Sequence, residues 1–177
     1  MPMNMKMVIA ETFVSLARQK PIDKITVKAL IDQCGISRQT FYYHFQDIME
    51  VIEWSLEQAA NNMLEKSLKA DSSEEALTVL ISATLENKAL ILKLMGSQKR
   101  EQIEKLLVRS VCSYFQTLIQ EKNQALAVNY TDMEFALDMW AFGISGMLLK
   151  CCTQDHVDAR KMAEQICRIL PDKLKTE

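Results

Sequence analysis

Glycine, proline and histidine are scarce in this chain: its 177 residues include four glycines, three prolines and two histidines. So few chain-reversing residues leave no recurrent turn spacing for a sandwich or barrel, and no alternating run reads as a strand. The shortage of histidine, with no glycine-rich phosphate loop, no paired metal ligands and no nucleophile motif, removes the usual inventory of an enzyme. The five cysteines are an odd number without metal-ligand spacing, which fits a reducing cytosol better than a disulfide scaffold. Long hydrophobic runs are missing too. The segment MPMNMKM lacks the basic region and apolar core of an export signal, and the longest uncharged apolar run, 139 to 149, is too short to span a bilayer. The expectation is a cytoplasmic, non-enzymatic protein with no membrane segment, no cofactor and no metal.

What the chain does contain is helical periodicity, with enough apolar residues, 49%, to bury one core and a small appended domain. Met5, Val8, Ile9, Thr12, Phe13, Leu16 and Ala17 make an amphipathic first helix, broken at Pro21. From Asp47, which with Glu50 has the form of a capping box, no glycine or proline interrupts the pattern until about Ala70. At 1.5 Å per residue that helix reaches about 35 Å. Further helices are expected at roughly 73–86, 88–95, 98–122, 132–153 and 157–170. In the third of these Ile103, Leu106, Leu107, Val111, Tyr114, Phe115 and Leu118 trace one stripe. From Met133 to Leu149 the next is apolar nearly all round, including Phe135, Met139, Trp140, Phe142, Ile144 and Met147, so it requires cover on more than one side. Ala163, Ile166, Ile169 and Leu170 stripe the last. The fold expected is all-α, with a helix-turn-helix domain over 1–46 and a helical domain over 47–177.

The segment TVKALIDQCGISRQTFYYHF, residues 26 to 45, carries the functional signal. Thr26 can cap a helix whose Val27, Leu30, Ile31 and Cys34 lie at i, i+3, i+4, i+7. Gly35 can take the left-handed conformation that reverses the chain, and Ser37 can cap the next helix. Ile36 and Phe41 have the spacing of a hydrophobic staple across that start. On the second helix Phe41 and Phe45 share the inner face, so Gln39 and Tyr43 point outward with Tyr42 and His44 on the flanks and Arg38 and Thr40 beside them. A helix in the major groove presents its first turn to base edges and its flanks to phosphates. Arg38 suits guanine and Gln39 adenine, while hydroxyls and imidazole suit phosphate. The competing reading is that the tyrosines and histidine merely cover a small core.

Charge is not helpful in bulk: the first 50 residues hold six Lys/Arg and five Asp/Glu, a net +1, and the rest hold fifteen and eighteen, a net −3. Attraction to DNA therefore depends on local placement of Lys6, Lys24, Lys28 and Arg38 and is expected to be salt-sensitive.

The same residues resemble the tetracycline-repressor (TetR) family of bacterial transcription regulators. The family's pattern of Thr-Val-x-x-Leu/Ile, Gly-Val/Ile-Ser and Thr-Phe-Tyr-x-x-Phe is met by Thr26, Val27, Leu30, Gly35, Ile36, Ser37, Thr40, Phe41, Tyr42 and Phe45. One departure stands out. The family commonly carries a basic Lys-Asn/Asp-Lys run after the recognition helix, where this chain has Gln46, Asp47 and Ile48. The resemblance implies a ligand-responsive repressor, acting as a homodimer on a palindromic double-stranded DNA operator. Its DNA contacts would come from Thr26, Lys28, Ser37, Arg38, Gln39, Thr40, Tyr42, Tyr43 and His44. It also implies a dimer interface built from the last two long helices, where Gly143 and Gly146 permit close approach, and a C-terminal pocket for a small-molecule effector. Met95, Tyr114, Trp140 and Met147 are the candidate lining residues, with ordinary core packing as the alternative for each. The short C-terminal part is similar to the small regulators related to activators of dihydroxyacetone-kinase operons, which keeps a protein partner open as the effector. Cys151, Cys152 and His156 raise thiol or metal sensing, against which consecutive helical residues point about 100° apart.

Overall fold

The computed structural model describes residues 4–121 and 130–169, with the side chains of 130–132 left out of the description. Its described residues are helical with no strand. In chain order the helices are α1 (Met5–Gln19), α2 (Val27–Cys34), α3 (Arg38–His44), α4 (Ile48–Leu68), α5 (Ser73–Glu86), α6 (Lys88–Met95), α7 (Arg100–Glu121), α8 (Tyr130–Cys152) and α9 (Ala159–Ile169). The expected bounds for α5 and α6 agree with these. A short 3₁₀ turn at Ile22–Lys24, which periodicity did not announce, follows Pro21. Residue 122, the expected end of α7, and Leu170, the expected end of the last stripe, lie outside the described residues.

Four helices, α2 to α5, start where short polar side chains meet free backbone N–H groups. Thr26 Oγ1 accepts from the Ala29 N–H at 3.1 Å, Ser37 Oγ from Thr40 at 3.0 Å and Ser72 Oγ from Glu75 at 3.1 Å. Asp47 Oδ1 accepts from the Glu50 N–H at 3.0 Å, while the Glu50 carboxylate takes the Gln46 N–H rather than that of Asp47. The Asp71–Glu75 pair repeats this shifted box ahead of α5, at 2.7 Å.

The chain divides into two compact units, one made of the described residues through Gln58 with Ala89–Leu106, the other of Ala59–Lys88 with the described residues from Leu107 onward. In the first unit Ile9, Phe13, Leu30, Phe41, Phe45, Val51 and Ile52 form a core that also contains Leu94 of α6 and Ile103 of α7. Two long-range polar ties fix these later segments to the N-terminal helices. Lys93 Nζ donates to the Ala17 and Arg18 carbonyls at the end of α1, at 3.1 and 2.6 Å, where a cation also meets the negative end of the helix dipole. Asp23 accepts the Gln98 N–H at 3.2 Å. The DNA-binding domain expected over 1–46 thus sits in a packing unit that draws on sequence more than forty residues beyond it.

In the second unit α5 packs on α8 and α9. Leu77, Leu80, Ile81, Tyr114, Ala141, Ile144, Leu148, Met162, Ala163 and Ile166 make its core. The Tyr114 hydroxyl donates to Ser67 Oγ at 2.7 Å and approaches the Ala76 carbonyl at 3.3 Å. Burial pushes its pKa up to about 12, the Ser67 hydrogen bond opposing that rise.

The stretch 133–152 of α8 is long and apolar enough to cross a membrane by length and composition alone. That differs from the expectation drawn from the shorter uncharged run, because three charged residues interrupt the stretch without ending it. One half of its apolarity has an ordinary explanation: Ala141, Ile144 and Leu148 belong to the core of the second unit, and Leu137 is buried. The other half is the exposed face described below.

Candidate nucleic-acid interface

The α2–α3 corner is set by backbone chemistry first. Gly35 has φ 65° and ψ 32°, the left-handed region that glycine enters without a Cβ penalty. The Ile36 N–H then reaches back to the Ile31 carbonyl at 3.2 Å, closing a Schellman-type end to α2. Ser37 restarts the helix two residues later. Its hydroxyl is within 2.8 Å of Thr40 Oγ1 as well as accepting the Thr40 N–H.

Phe41 and Phe45 anchor α3 from below, 0% and 1% exposed, with ring centroids 6.2 Å apart. Anchoring at i and i+4 turns the opposite face outward. Tyr43 is 83% exposed and Tyr42 47%, and Arg38 and Gln39 are exposed at the start of the helix. His44 is half-buried, its ring edge-on to Tyr43 at 4.9 Å. The structure thus brings Arg38, Gln39, Tyr42, Tyr43 and His44 together on one short helix, with Ser37 at its start. Thr40 is half-buried and its hydroxyl is shared with Ser37, so it serves the cap before it can serve a ligand. Thr26 and Lys28 are exposed at the start of α2, the Thr26 hydroxyl likewise engaged in capping.

Two contacts were not legible from spacing. The Arg38 guanidinium lies over the Tyr42 ring, 5.6 Å from its centroid, and Lys6 Nζ of α1 lies over the Phe45 ring at 5.3 Å. Both are cation–π arrangements that hold a positive charge at the outer surface of α3 or at its end. They matter more because the next helix start is unhelpful to an anion. A free helix N-terminus attracts phosphate, but at the start of α4 the Asp47 carboxylate takes the Glu50 N–H and the Glu50 carboxylate takes the Gln46 N–H just ahead of the helix, so two negative charges stand there already. The departure at Gln46, Asp47 and Ile48 therefore places carboxylates, as well as no basic run, after the recognition helix.

The four candidate ligand-lining residues are divided between the two units. Met95 packs against the core of the first unit, whereas Tyr114 and Trp140 belong to the core of the second, with the Tyr114 hydroxyl spent on Ser67. Met147 is 42% exposed and lines a cavity of about 340 Å³ between the end of α8 and α9, a feature that sequence periodicity does not reveal. Cys151 and Cys152 are buried and His156 is exposed. Burial raises the pKa of both thiols, and Cys151 Sγ faces Met162 Sδ at 3.3 Å. Among the described residues no group of three or more His, Cys, Asp and Glu side chains is placed to hold a metal.

On α8 the exposed face is largely apolar, with Glu134, Asp138 and Lys150 also exposed on the helix. Phe135, Met139, Phe142 and Met147 are 72%, 55%, 65% and 42% exposed, and a Cβ added at Gly143 or Gly146 would meet nothing within 4 Å. Ile169 on α9 is 84% exposed.

Residues 9–53 match the family described as bacterial regulatory proteins, tetR family, and residues 71–172 match that described as transcriptional regulator C-terminal region. No curated protein matches the chain. Among solved structures, Lin0861 from Listeria innocua is similar with a TM-score of 0.73 and 17% identity, covering 95% of this chain and 93% of that one. The dihydroxyacetone kinase operon activator DhaS is similar at 0.66 and 20%, covering 93% and 92%. A TetR transcriptional regulator from Rhodococcus sp. RHA1 is similar at 0.66 and 17%, covering 95% and 96%. At such identities the likeness is one of fold.

Proposed function

The chain belongs to the TetR family of bacterial transcription regulators, and from that membership we propose that it is a cytoplasmic, ligand-responsive repressor working as a homodimer on a palindromic operator. The observation that carries the reading is the pairing of two exposed surfaces with complementary purposes. One is α3, which offers Arg38, Gln39 and Tyr43 to a groove from a helix anchored by Phe41 and Phe45. The other is the apolar face of α8, with Phe135, Met139 and Phe142 uncovered in the single chain. A second copy placed on that face removes the apolar surface from water and supplies the second recognition helix. Two such helices about 34 Å apart engage successive major-groove faces, and each alone binds weakly. Effector binding in the C-terminal helices acts by changing that separation through α4, since misplacing one half-site forfeits the advantage of bivalence.

The DNA contacts fall to Arg38 and Gln39 on bases, with Tyr42, Tyr43, His44, Ser37, Thr40, Thr26 and Lys28 on the backbone or flanking bases. Selection from a random duplex library with the purified protein tests the reading, and the expected product is a palindrome with half-sites about one helical turn apart. Arg38→Ala is expected to relax one position of that palindrome at a cost of about 1 to 3 kcal/mol, with folding intact. A protein that sediments as a monomer at micromolar concentration, or selects no sequence, refutes it.

A second reading is supported by similarity over nearly the full length to an operon activator. In it a protein partner replaces the small-molecule effector. Operator occupancy that changes with a host protein extract, and not with its small-molecule fraction, distinguishes this reading from the first.

A further inference from the structure

We propose that the cavity between α8 and α9 is a site for a small amphipathic carboxylate, which bridges the two helices that bear the exposed apolar face. As the effector site this rests on the regulator reading above; as a binding site it does not.

The cavity holds about 340 Å³, near the lower end of the range for ligand pockets, which limits its occupant to a short chain. Its floor is apolar, made by Met147, Cys151, Val157 and Met162, with the two sulfur atoms of Cys151 and Met162 3.3 Å apart. Its cationic lining is Lys150 from the last turn of α8 and Lys161 from α9, beside the His156 imidazole from the connecting loop and the amides of Gln154 and Gln165. Arg100, Lys105 and Arg160 are in ion pairs with nearby carboxylates, but Lys150 and Lys161 make none among the described residues. Asp158, the one acidic group lining the cavity, accepts the Lys161 N–H through Oδ1 at 3.1 Å as the cap of α9, and no ion pair between it and either lysine is present among the described residues. Unpaired ammonium groups above an apolar floor match an anion attached to a small hydrocarbon body, the head satisfied by charge-assisted hydrogen bonds and the tail by Met147 and Met162.

The rim is built rather than loose. The Lys88 ammonium, reaching from α6, donates to the Gln154 carbonyl at 3.2 Å, and the Thr153 and Gln154 N–H groups turn back onto the Lys150 and Cys151 carbonyls. A carboxylate held by Lys150 and Lys161 together fixes α8 against α9. Met147 belongs both to the cavity and to the exposed face, so occupancy reads out directly on the surface assigned to the second copy.

The test uses the full-length protein in calorimetric titrations with butanoate, hexanoate and octanoate, against inorganic phosphate and 1-octanol. At least one carboxylate is expected to bind saturably, more tightly than either phosphate or octanol. Lys150→Gln combined with Lys161→Gln should weaken it about tenfold or more while leaving the melting curve and oligomeric state unchanged. The site is refuted if no carboxylate binds, if the variant binds as well as the parent, or if octanol binds as tightly as octanoate; phosphate binding as tightly as octanoate removes the apolar half of the proposal. Operator affinity measured with and without the bound carboxylate then separates the two claims. No change overturns the effector role, whereas an unliganded protein that never binds DNA overturns the regulator reading and leaves the site standing.

Discussion

Replacing Phe142 by glutamate puts the dimer reading at risk with one substitution. Phe142 is 65% exposed in the single chain, so of roughly 200 Å² for a phenylalanine side chain about 130 Å² is available for a partner to cover. At about 25 cal/mol per Å² that area is worth about 3 kcal/mol in each copy, or about 6 kcal/mol for a two-fold interface in which both copies contribute. Area converts incompletely to affinity, and halving the figure leaves about 3 kcal/mol, more than a hundredfold in the dissociation constant. A glutamate also brings a charge whose burial is opposed. Because Phe142 is not among the described residues that form or pack against either core, the monomer is expected to keep its helicity. Sedimentation velocity at micromolar concentration is the assay: the parent should run as a dimer and Phe142→Glu as a folded monomer, with operator affinity falling in parallel. A dimer of unchanged stability would falsify the assignment of this face, and a parent that is itself monomeric would remove the need for it.

Gly35→Ala places a Cβ in open space but at φ 65°, so the penalty is conformational alone, about 1 kcal/mol; chemical denaturation should show the loss, and an unchanged midpoint contradicts the turn assignment. Tyr114 ionises near 10 in the unfolded chain but at about 12 when buried, so alkali stabilises the unfolded state first. Its contribution is complete below pH 10 and declines through pH 12 by up to about 3 kcal/mol, and Tyr114→Phe should flatten that part of the stability profile. Lys93→Met removes two hydrogen bonds from a charged donor to the end of α1 and is expected to cost about 1 to 2 kcal/mol, a melting shift of a few degrees; no shift means that the Lys93 tie is a surface accident.

Much local chemistry was legible in the sequence where the interacting groups lie within about five residues. Thr26, Gly35 and Ser37 act at the positions their residue types suggested, and α5 and α6 begin and end as the pattern implied. The outward presentation of Arg38, Gln39 and Tyr43 followed from Phe41 and Phe45 because helical geometry alone fixes which side chains share a face. The tie between Arg38 and Tyr42 was not legible, since spacing permits contact without deciding which rotamers are chosen.

Tertiary packing decided the rest. It recruited Leu94 and Ile103 to the core beneath the helix-turn-helix, with Lys93 and Asp23 as ties across some seventy-five residues of sequence. It sent Met95 to that core and Tyr114 to a buried hydroxyl pair with Ser67. It also divided the apolar surface of α8 into a covered half and an open half, and shaped the basic cavity at the α8–α9 turn. A helical period records that a residue is apolar and which way it points along its own helix; which neighbour covers it depends on contacts between segments far apart in the chain.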